Sequence, residues 1–267
     1  MSQDLGQRPG PFTIESLASD LRDLGLLAGD TVVVHSSLSS IGYVVGGAQA
    51  VVLALLEVIG IDGTLVVPTH SGDLSDPSGW ENPPVPEAWW SVIRESMPAF
   101  DDKLTPTRKM GAIPDVVRRL PGALRSDHPA LSFCAVGPNA AVITAGHELA
   151  FGFGEASPLA RLYDHNARIL LLGVGHDRNT SLHLAEYRIH QADEVIQQGA
   201  PITVNGERQW VPYETLDYDT DDFGELGAAA GEMGLERVGT VGAATARLLS
   251  QPQLVDYAVE WLRTNRR

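Results

Sequence analysis

The chain has a single cysteine, Cys134, among its 267 residues. One thiol cannot form an internal disulfide, so a reducing cytoplasm is the expected compartment. Cys134 lies in the strand-like stretch 132–136, which predicts a small buried residue rather than a nucleophile. Long apolar runs are also missing, since none approaches the roughly 20 residues that span a bilayer. The first residues hold no apolar segment of signal-peptide length. We therefore expect neither a membrane span nor a secretory leader.

Clustered basic residues are likewise absent: 19 Lys and Arg stand against 34 Asp and Glu, a formal net charge of −15. Nucleic acid is not an expected partner, because phosphate binding needs grouped Lys and Arg. A negative surface attracts cations, including polyamine-like substrates, although acidity can also serve solubility alone. An acidic run is either a solvated loop or the rim of a pocket. The run here comprises Glu214, Asp217, Asp219, Asp221, Asp222 and Glu225.

Alternating strand and helix patterns predict an α/β fold. A β-branched run, Thr31 to Val34, precedes a helical pattern whose apolar face includes Val51 and Ile59, and Thr64 to Val67 follows as a second run. Strand, helix and strand in this order form a βαβ unit with parallel strands. We predict one domain over residues 1–267, a three-layer α/β/α architecture with a central mixed, largely parallel sheet.

An irregular insertion interrupts this rhythm at residues 70–107, where prolines, glycines and tryptophans concentrate. Long irregular segments in compact domains often carry binding functions, so we expect it on the substrate side. Residues 1–10 are expected to form a disordered arm, and Thr13 to cap the first helix. Further expected elements are a helix at 113–120, strands near 132–136 and 168–174, a hairpin turning at Asn205-Gly206, and closing helices at 241–250 and 252–264.

The most informative stretch runs from Gly173 to Glu186, where a buried strand crosses two glycines and enters a helix, with Asp177 or Asn179 as expected N-cap. His183 and Glu186 lie three residues apart, so they share one helical face. A carboxylate beside an imidazole fixes its tautomer and raises its basicity, as a general base requires. The arrangement predicts proton-transfer chemistry at the carboxyl edge of the sheet.

Metal binding is an alternative use of the same helix. His183, Glu186 and His190 share a face, with His176 nearby, and three such ligands could hold a catalytic Zn²⁺. The spacing is not His-Glu-x-x-His, and no further His/Asp cluster supplies the set. A metal-dependent hydrolase therefore stays open as an alternative, while no metal is our expectation.

A second group, His35-Ser36-Ser37, follows the first strand. The Gly-x-Ser-x-Gly pattern of a serine nucleophile is absent. Backbone amides and hydroxyls there, followed by Gly46-Gly47 at a helix start, suit phosphate binding instead. The Gly-x-Gly-x-x-Gly and Walker patterns are missing, so nothing indicates a nicotinamide cofactor or ATP hydrolysis.

Taken together, the ordered motifs resemble the aminoglycoside 3-N-acetyltransferase family, from about Thr13 to Leu262. The segments that carry the resemblance are Val34–Gly42, Val45–Ala48, Gly63–Pro68, Thr105–Thr107 with Met110-Gly111, Arg125–Pro129, Ser132-Phe133, Asp177, Thr180, His183, Glu186 and Val241-Gly242. The resemblance implies acetyl-CoA as cosubstrate, a cationic aminoglycoside as substrate, and acetylation of the 3-amino group of its 2-deoxystreptamine ring. Such acetylation gives antibiotic resistance.

The resemblance also implies residue roles. His183 would be the general base, oriented by Glu186, and Thr180 or backbone amides of Ser36-Ser37 would stabilise the oxyanion. Transfer would be direct, through a ternary complex. The implied substrate-binding residues are Asp177, His176, Asp73 and Glu155. The implied coenzyme-binding residues are His35, Ser36, Ser37, Leu38, Gly46, Gly47, Met110, Gly111, Ser126, His128, Ser132 and Phe133. Arg108 or Lys109 could meet a phosphate.

Other functions remain compatible with these residues. A coenzyme-A-dependent acetyltransferase for another amine shares every motif and differs in the 70–107 insertion. A non-catalytic sugar- or polyamine-binding module would bind ligand without releasing thiol from acetyl-CoA. A homodimer also stays open.

Overall fold

A mixed sheet forms the centre of the protein in the computed structural model, which describes residues 9–190 and 194–266. Its seven strands among these residues run, from one edge to the other, as β3 (Leu124–Arg125), β4 (Phe133–Val136), β2 (Thr64–Pro68), β1 (Thr31–Ser36), β5 (Arg168–Leu172), β9 (Ala244–Ser250) and β8 (Glu236–Val241). A separate two-stranded sheet pairs β6 (Val195–Val204) with β7 (Glu207–Leu216).

Parallel pairing is confined to the centre of the main sheet. Strand β1 lies parallel to both β2 and β5, with Thr31 opposite Thr64 and Val34 opposite Leu170. The flanking pairs are antiparallel. The mixed sheet is as predicted, but the parallel share is smaller than "largely parallel" implied. Short connections join β3 to β4 and β8 to β9, which suits antiparallel pairing, and β4 and β9 also lie antiparallel to the central strands beside them.

Helices cover both faces of the sheet. They are α1 (Ile14–Leu24), α2 (Gly47–Ile59), α3 (Trp90–Ser96), α4 (Ala112–Val117), α5 (Ala140–Thr144), α6 (Pro158–Asp164), α7 (Leu182–Ile189), α8 (Phe223–Glu232) and α9 (Gln251–Asn265). Successive side chains of a strand point to opposite faces. Accordingly Val32 and Val34 pack with α1, α2 and α4, whereas Val33 packs with α5 to α9. This three-layer arrangement confirms the predicted architecture.

The first helix starts as its sequence predicts. Thr13 Oγ1 accepts a hydrogen bond from Ser16 N at 3.2 Å, and Ser16 Oγ accepts one from Thr13 N at 2.9 Å. These reciprocal bonds satisfy amides that the first turn leaves free. Most of the arm predicted at 1–10 lies outside the described residues. Pro9, which is described, accepts a hydrogen bond from Tyr43 N at 2.9 Å.

The 70–107 insertion packs against the β6–β7 hairpin. Phe100 N donates to Pro201 O at 3.0 Å, and Arg208 Nε donates to Met97 O at 3.0 Å. The hairpin turns at Asn205-Gly206 as predicted, and each of its strands is 10 residues long. The insertion and the hairpin thus form one wall beside the central sheet.

The predicted helix at 241–250 is wrong, because this segment forms the end of β8 and the whole of β9. Its Ala, Leu and Arg residues favour a helix by local propensity. Antiparallel pairing with β5, where Leu170 faces Leu248, buries the segment and overrides that preference. The acidic run, expected as a solvated loop or a pocket rim, begins at the end of β7 and reaches into the first turn of α8. Within 9–190 and 194–266, no helix combines the length and apolarity needed to cross a bilayer.

Candidate active site

The three parallel strands end at a common edge, and a cavity of about 720 Å³ opens there. Ligands of open α/β folds bind at this edge because loops from neighbouring strands converge there. The lining comprises His35, Ser36 and Ser37 after β1, Pro68, His70 and Gly72 after β2, Val174 and Asp177 to Thr180 after β5, His183 on α7, and Arg108, Lys109, Met110, Phe153, Tyr218, Thr220 and Phe223, among others.

His183 and Glu186 meet on α7 as their spacing predicts. The His183 Nδ1 atom hydrogen-bonds to Glu186 Oε2, and both side chains are buried, with 8% and 4% of their surface exposed. A carboxylate accepts hydrogen bonds, so it selects the tautomer with the proton on Nδ1. The other ring nitrogen, Nε2, is left as the acceptor, and the ring lines the cavity. Such a nitrogen can take a proton from a bound amine.

Aromatic rings hold the imidazole from three sides. Phe153 stacks on His183 at 4.8 Å with an interplanar angle of 3°. Tyr218 and Phe223 lie 4.7 and 5.1 Å from the same ring. Burial, with smaller contributions from Tyr187 and Glu186, raises the pKa of Tyr218 to about 12, so its hydroxyl stays protonated. The three rings belong to separate segments of the chain, so their contacts with His183 could not be predicted from sequence spacing.

Two further histidines line the same cavity. Burial, reinforced by the neighbouring His183, lowers the pKa of His35 to about 3. Burial is the main cause that lowers the pKa of His70 to about 3, and the neighbouring His35 and His183 lower it further. Both rings therefore remain neutral at physiological pH, and neither adds a cation beside His183. His35 was expected from sequence, whereas His70 was missed because it was counted only as the start of the insertion.

Thr180 lies on the cavity wall one turn before His183, where its backbone carbonyl accepts His183 N at 3.1 Å. Its hydroxyl is a candidate donor to an oxyanion. The amide of Ser37, the other candidate, already donates to Leu172 O at 2.9 Å. The start of α7 differs from the expected N-cap at Asp177 or Asn179, because the helix begins at Leu182. Asn179 Oδ1 instead accepts a hydrogen bond from Ser181 N at 3.3 Å, just before the helix.

The four carboxylate and histidine groups expected to bind substrate occupy different places. Asp177 lines the main cavity and pairs with the exposed Arg178 at 3.1 Å. Asp73 pairs with Arg108 and lines an adjoining cleft. Glu155 is not among the cavity-lining residues and pairs with Arg188 at 2.7 Å.

His176 is buried beneath the cavity loop rather than in the cavity. Its Nε2 lies 3.1 Å from Glu236 Oε2, and burial, partly offset by Glu236, lowers its pKa. Helix α8 crosses close above it at Gly227, where a Cβ atom would lie 2.2 Å from the His176 ring. His176 thus supports the loop that carries Asp177.

Two smaller clefts adjoin the main cavity through Gly72. One of about 360 Å³ is lined by residues of the insertion, including Glu81. The other, of about 470 Å³, lies between the insertion and the hairpin and contains Glu81 and Asp217. The acidic run therefore reaches a cleft through Asp217, and Glu81 was missed because no motif singled it out.

The coenzyme residues expected from the resemblance separate into three groups. His35, Ser36, Ser37 and Met110 line the cavity. Leu38, Gly46, Gly47 and Gly111 lie at the starts of helical segments outside the lining. Ser126, His128, Ser132 and Phe133 are buried, with at most 1% exposed. The third group bonds inward: Ser126 Oγ meets His147 Nδ1 at 2.9 Å, Ser132 Oγ donates to Thr69 O at 2.9 Å, and His128 Nδ1 accepts Ala130 N at 3.1 Å. These residues brace the cavity wall.

The alternative metal site is not assembled in the part of the chain that the structure describes. Within it, no three His, Cys, Asp or Glu side chains are grouped to hold one ion. His190 ends α7, and its Nδ1 donates to Tyr187 O at 2.7 Å. Cys134 is buried, which raises the pKa of its thiol to about 12, as expected of a packing residue.

Comparison with known proteins agrees with this fold and identifies the family. The aminoglycoside 3-N-acetyltransferase family model matches residues 33–263, and the chain belongs to that family. It is 48% identical to the SPbeta prophage-derived aminoglycoside N(3')-acetyltransferase-like protein YokD of Bacillus subtilis, over 96% of this chain and 94% of that protein. The YokD crystal structure superposes with a TM-score of 0.94, covering 96% of this chain and 95% of that one.

More distant structures show the same fold with ligands. AAC-IIIb, solved as a binary complex with CoASH, is 31% identical, with a TM-score of 0.85 over 96% of this chain and 97% of that one. AAC-VIa bound to sisomicin is 32% identical, with a TM-score of 0.86 over 96% and 98%.

Proposed function

We propose that this protein transfers the acetyl group of acetyl-CoA to the 3-amino group of a 2-deoxystreptamine aminoglycoside, which inactivates the antibiotic. The observation that carries the proposal is the buried His183–Glu186 pair, whose imidazole lines a cavity that adjoins a cleft containing Glu81 and Asp217. Family membership and relatives solved with CoASH and with sisomicin support the same assignment.

His183 acts as the general base in this proposal. An amine in neutral water is mostly protonated and cannot attack a carbonyl until it loses a proton. Nε2 of His183 takes that proton, while Glu186 holds the Nδ1–H and stabilises the imidazolium that forms. A positioned base typically contributes about 10²–10⁴-fold to the rate. Phe153 fixes the ring plane, so the nitrogen is aimed before the substrate arrives.

The cavity residues suit a coenzyme A thioester. Arg108, Lys109 and Arg178 supply cations for its phosphates, and Ser36 and Ser37 supply hydroxyl groups. Lys109 has no ion-pair partner within the described residues, so its charge is free for an anion. Bound acetyl-CoA supplies an activated carbonyl: the amine forms the new N–C bond, the C–S bond breaks, and coenzyme A leaves as a thiol. Thr180 lines the same cavity, and in this proposal its hydroxyl donates a hydrogen bond to the oxygen that becomes negative during attack.

The remaining ammonium groups of the antibiotic are assigned to acidic side chains around the same space. Asp177 lies in the main cavity, and Glu81 and Asp217 lie in the adjoining clefts. The 70–107 insertion and the hairpin would thereby form the substrate side. The net charge of −15 would also speed encounter with a polycation. We further propose that the enzyme works in the reducing cytoplasm, where its lone thiol needs no partner.

A free-thiol assay tests this function. Purified protein with acetyl-CoA is expected to release thiol with at least one 2-deoxystreptamine compound, giving a product with one added acetyl group at nitrogen 3. The matched substrate control is the same antibiotic already acetylated at that nitrogen, which should release none. Absence of thiol release across a panel of aminoglycosides would refute the proposal.

Acetylation of another amine is the second candidate. The 48% identical relative is itself named acetyltransferase-like, and the cleft that contains Glu81 and Asp217 would accept other polycations. The same assay separates the two functions, since thiol release with simple polyamines and none with aminoglycosides would favour this candidate.

A further inference from the structure

Arg266 follows α9 and reaches back to the His183–Glu186 pair. Its Nη1 donates to Glu186 Oε1. Its Nε and Nη2 donate to the two carboxylate oxygens of Asp222 at 2.6 and 2.5 Å, and Nη2 also donates to the carbonyl oxygen of Asp219 at 2.7 Å. One guanidinium therefore connects the acid of the pair to the loop that precedes α8.

Glu186 needs such a partner because its side chain is only 4% exposed. A buried carboxylate is costly unless it is paired and hydrogen-bonded. Oε2 is taken by His183, while Oε1 accepts Asp219 N at 3.2 Å and the Arg266 guanidinium. Burial alone would lower the pKa of Arg266, but hydrogen bonds to Asp222 and Glu186 outweigh it and raise that pKa. The group is a cation throughout the range of any assay.

We propose that Arg266 is a positioning residue, which holds Glu186 in place against Nδ1 of His183 through a direct ion pair. The inference rests on the proposed function, since it assigns Arg266 to the base of that reaction. It adds a third member to the pair that the sequence spacing revealed, from a residue 80 positions away.

The charged surroundings of the pair allow a sharp test. The ionisable groups facing it are His35 after β1, His70 after β2, Tyr187 on α7, Tyr218, Asp219 and Asp222 after β7, and Arg266 after α9. The two histidines stay neutral and the two tyrosines protonated at assay pH. Among the described residues that contact the pair directly, Arg266 is the cation, and its charge opposes a proton on His183.

Two variants separate an electrostatic role from a mere tether. Arg266→Ala removes the cation and leaves two carboxylates near the imidazole, which favours its protonated form. The acidic limb of the kcat/KM–pH profile should move to higher pH by about 1 unit, the lower end of the effect of a charge within ~4–6 Å. Asp222→Asn also weakens the contact between Arg266 and the loop before α8, but it removes an anion instead of a cation. The acidic limb of the kcat/KM–pH profile should therefore move to lower pH. Arg266→Lys should restore most of the wild-type profile.

A second measurement does not depend on turnover. Diethylpyrocarbonate modifies neutral imidazole, so the pH dependence of His183 modification, followed by peptide mass spectrometry, should shift in the same directions. Arg263→Ala is the matched control, because Arg263 lies in the last turn of α9 and pairs with the exposed Glu260. Its profile should match the wild type, and thermal melting verifies that each variant is folded.

The outcomes distinguish the two proposals. Shifts of Arg266→Ala and Asp222→Asn in opposite directions support the role of Arg266. Superimposable profiles for Arg266→Ala and wild type, or shifts of both variants in the same direction, would overturn it. Absence of turnover in the wild type refutes the proposed function, while the modification profiles still decide the role of Arg266.

Discussion

Four histidines are held in the neutral form inside this protein, so mild acid should destabilise it. Burial is the main cause in each case: it lowers the pKa of His35 and His70 to about 3 and that of His147 to about 4, and it keeps the pKa of His128 well below its usual value. The contacts fit neutral rings. His128 Nδ1 accepts two amides, from Ala130 and Leu131, each at 3.1 Å.

The magnitude follows from proton linkage. An unfolded histidine titrates near pH 6.5, so below that pH the unfolded chain binds protons that the folded chain cannot. The stabilising contribution is complete above pH 6.5 and is lost as the pH falls toward the folded pKa. At pH 5.5 each buried neutral ring lowers the free energy of unfolding by about 1.4 kcal/mol, and the four together lower it by roughly 5–6 kcal/mol. A typical domain is stable by only about 5–15 kcal/mol.

Urea denaturation followed by tryptophan fluorescence at pH 7.5 and pH 5.5 measures this loss. A variant isolates one ring from the carboxylates that also titrate. His147→Gln should lose about 1.4 kcal/mol less between the two pH values than the wild type. His165→Gln, at the exposed end of α6, should lose as much as the wild type. An unchanged loss in His147→Gln would refute the reasoning.

Two further predictions concern packing. Gly227→Ala would place a Cβ 2.2 Å from the buried His176, so α8 must shift. We expect the free energy of unfolding to fall by about 1–3 kcal/mol and kcat/KM to fall as well. The control is Gly224→Ala on the same helix, which has no atom near its Cβ and should change neither quantity. Thermal melting and the thiol assay check both variants, and equal behaviour would contradict the proposed crowding. Cys134, whose pKa burial raises to about 12, should react with a thiol reagent only after unfolding; rapid labelling of the native protein would contradict its burial.

The centre of the fold could be predicted from local pattern. Strands β1 and β2 are continuous apolar runs because both of their faces are covered, and α2 between them shows helical spacing. Strand β9 could not be predicted, because its Ala, Leu and Arg residues favour a helix unless β5 is there to pair with it.

The same distinction applies to the active site: its local contacts could be predicted from sequence, and its long-range contacts could not. His183 and Glu186 are three residues apart, so helix geometry alone brings them together. The tertiary fold brings Phe153, Tyr218 and Arg266 to the pair, and their spacing in the sequence does not predict these contacts. Resemblance placed Ser132 and Phe133 near the coenzyme, but it could not show that both side chains turn inward and are buried.

The central claim is that Nε2 of His183 removes a proton from the substrate amine. Its most direct test compares kcat/KM of the wild type, His183→Ala and the surface control His165→Ala with one aminoglycoside at neutral pH. We predict a loss of at least about 100-fold for His183→Ala, on the scale of general-base catalysis, and wild-type rates for His165→Ala. Equal rates for His183→Ala and the wild type would contradict the account.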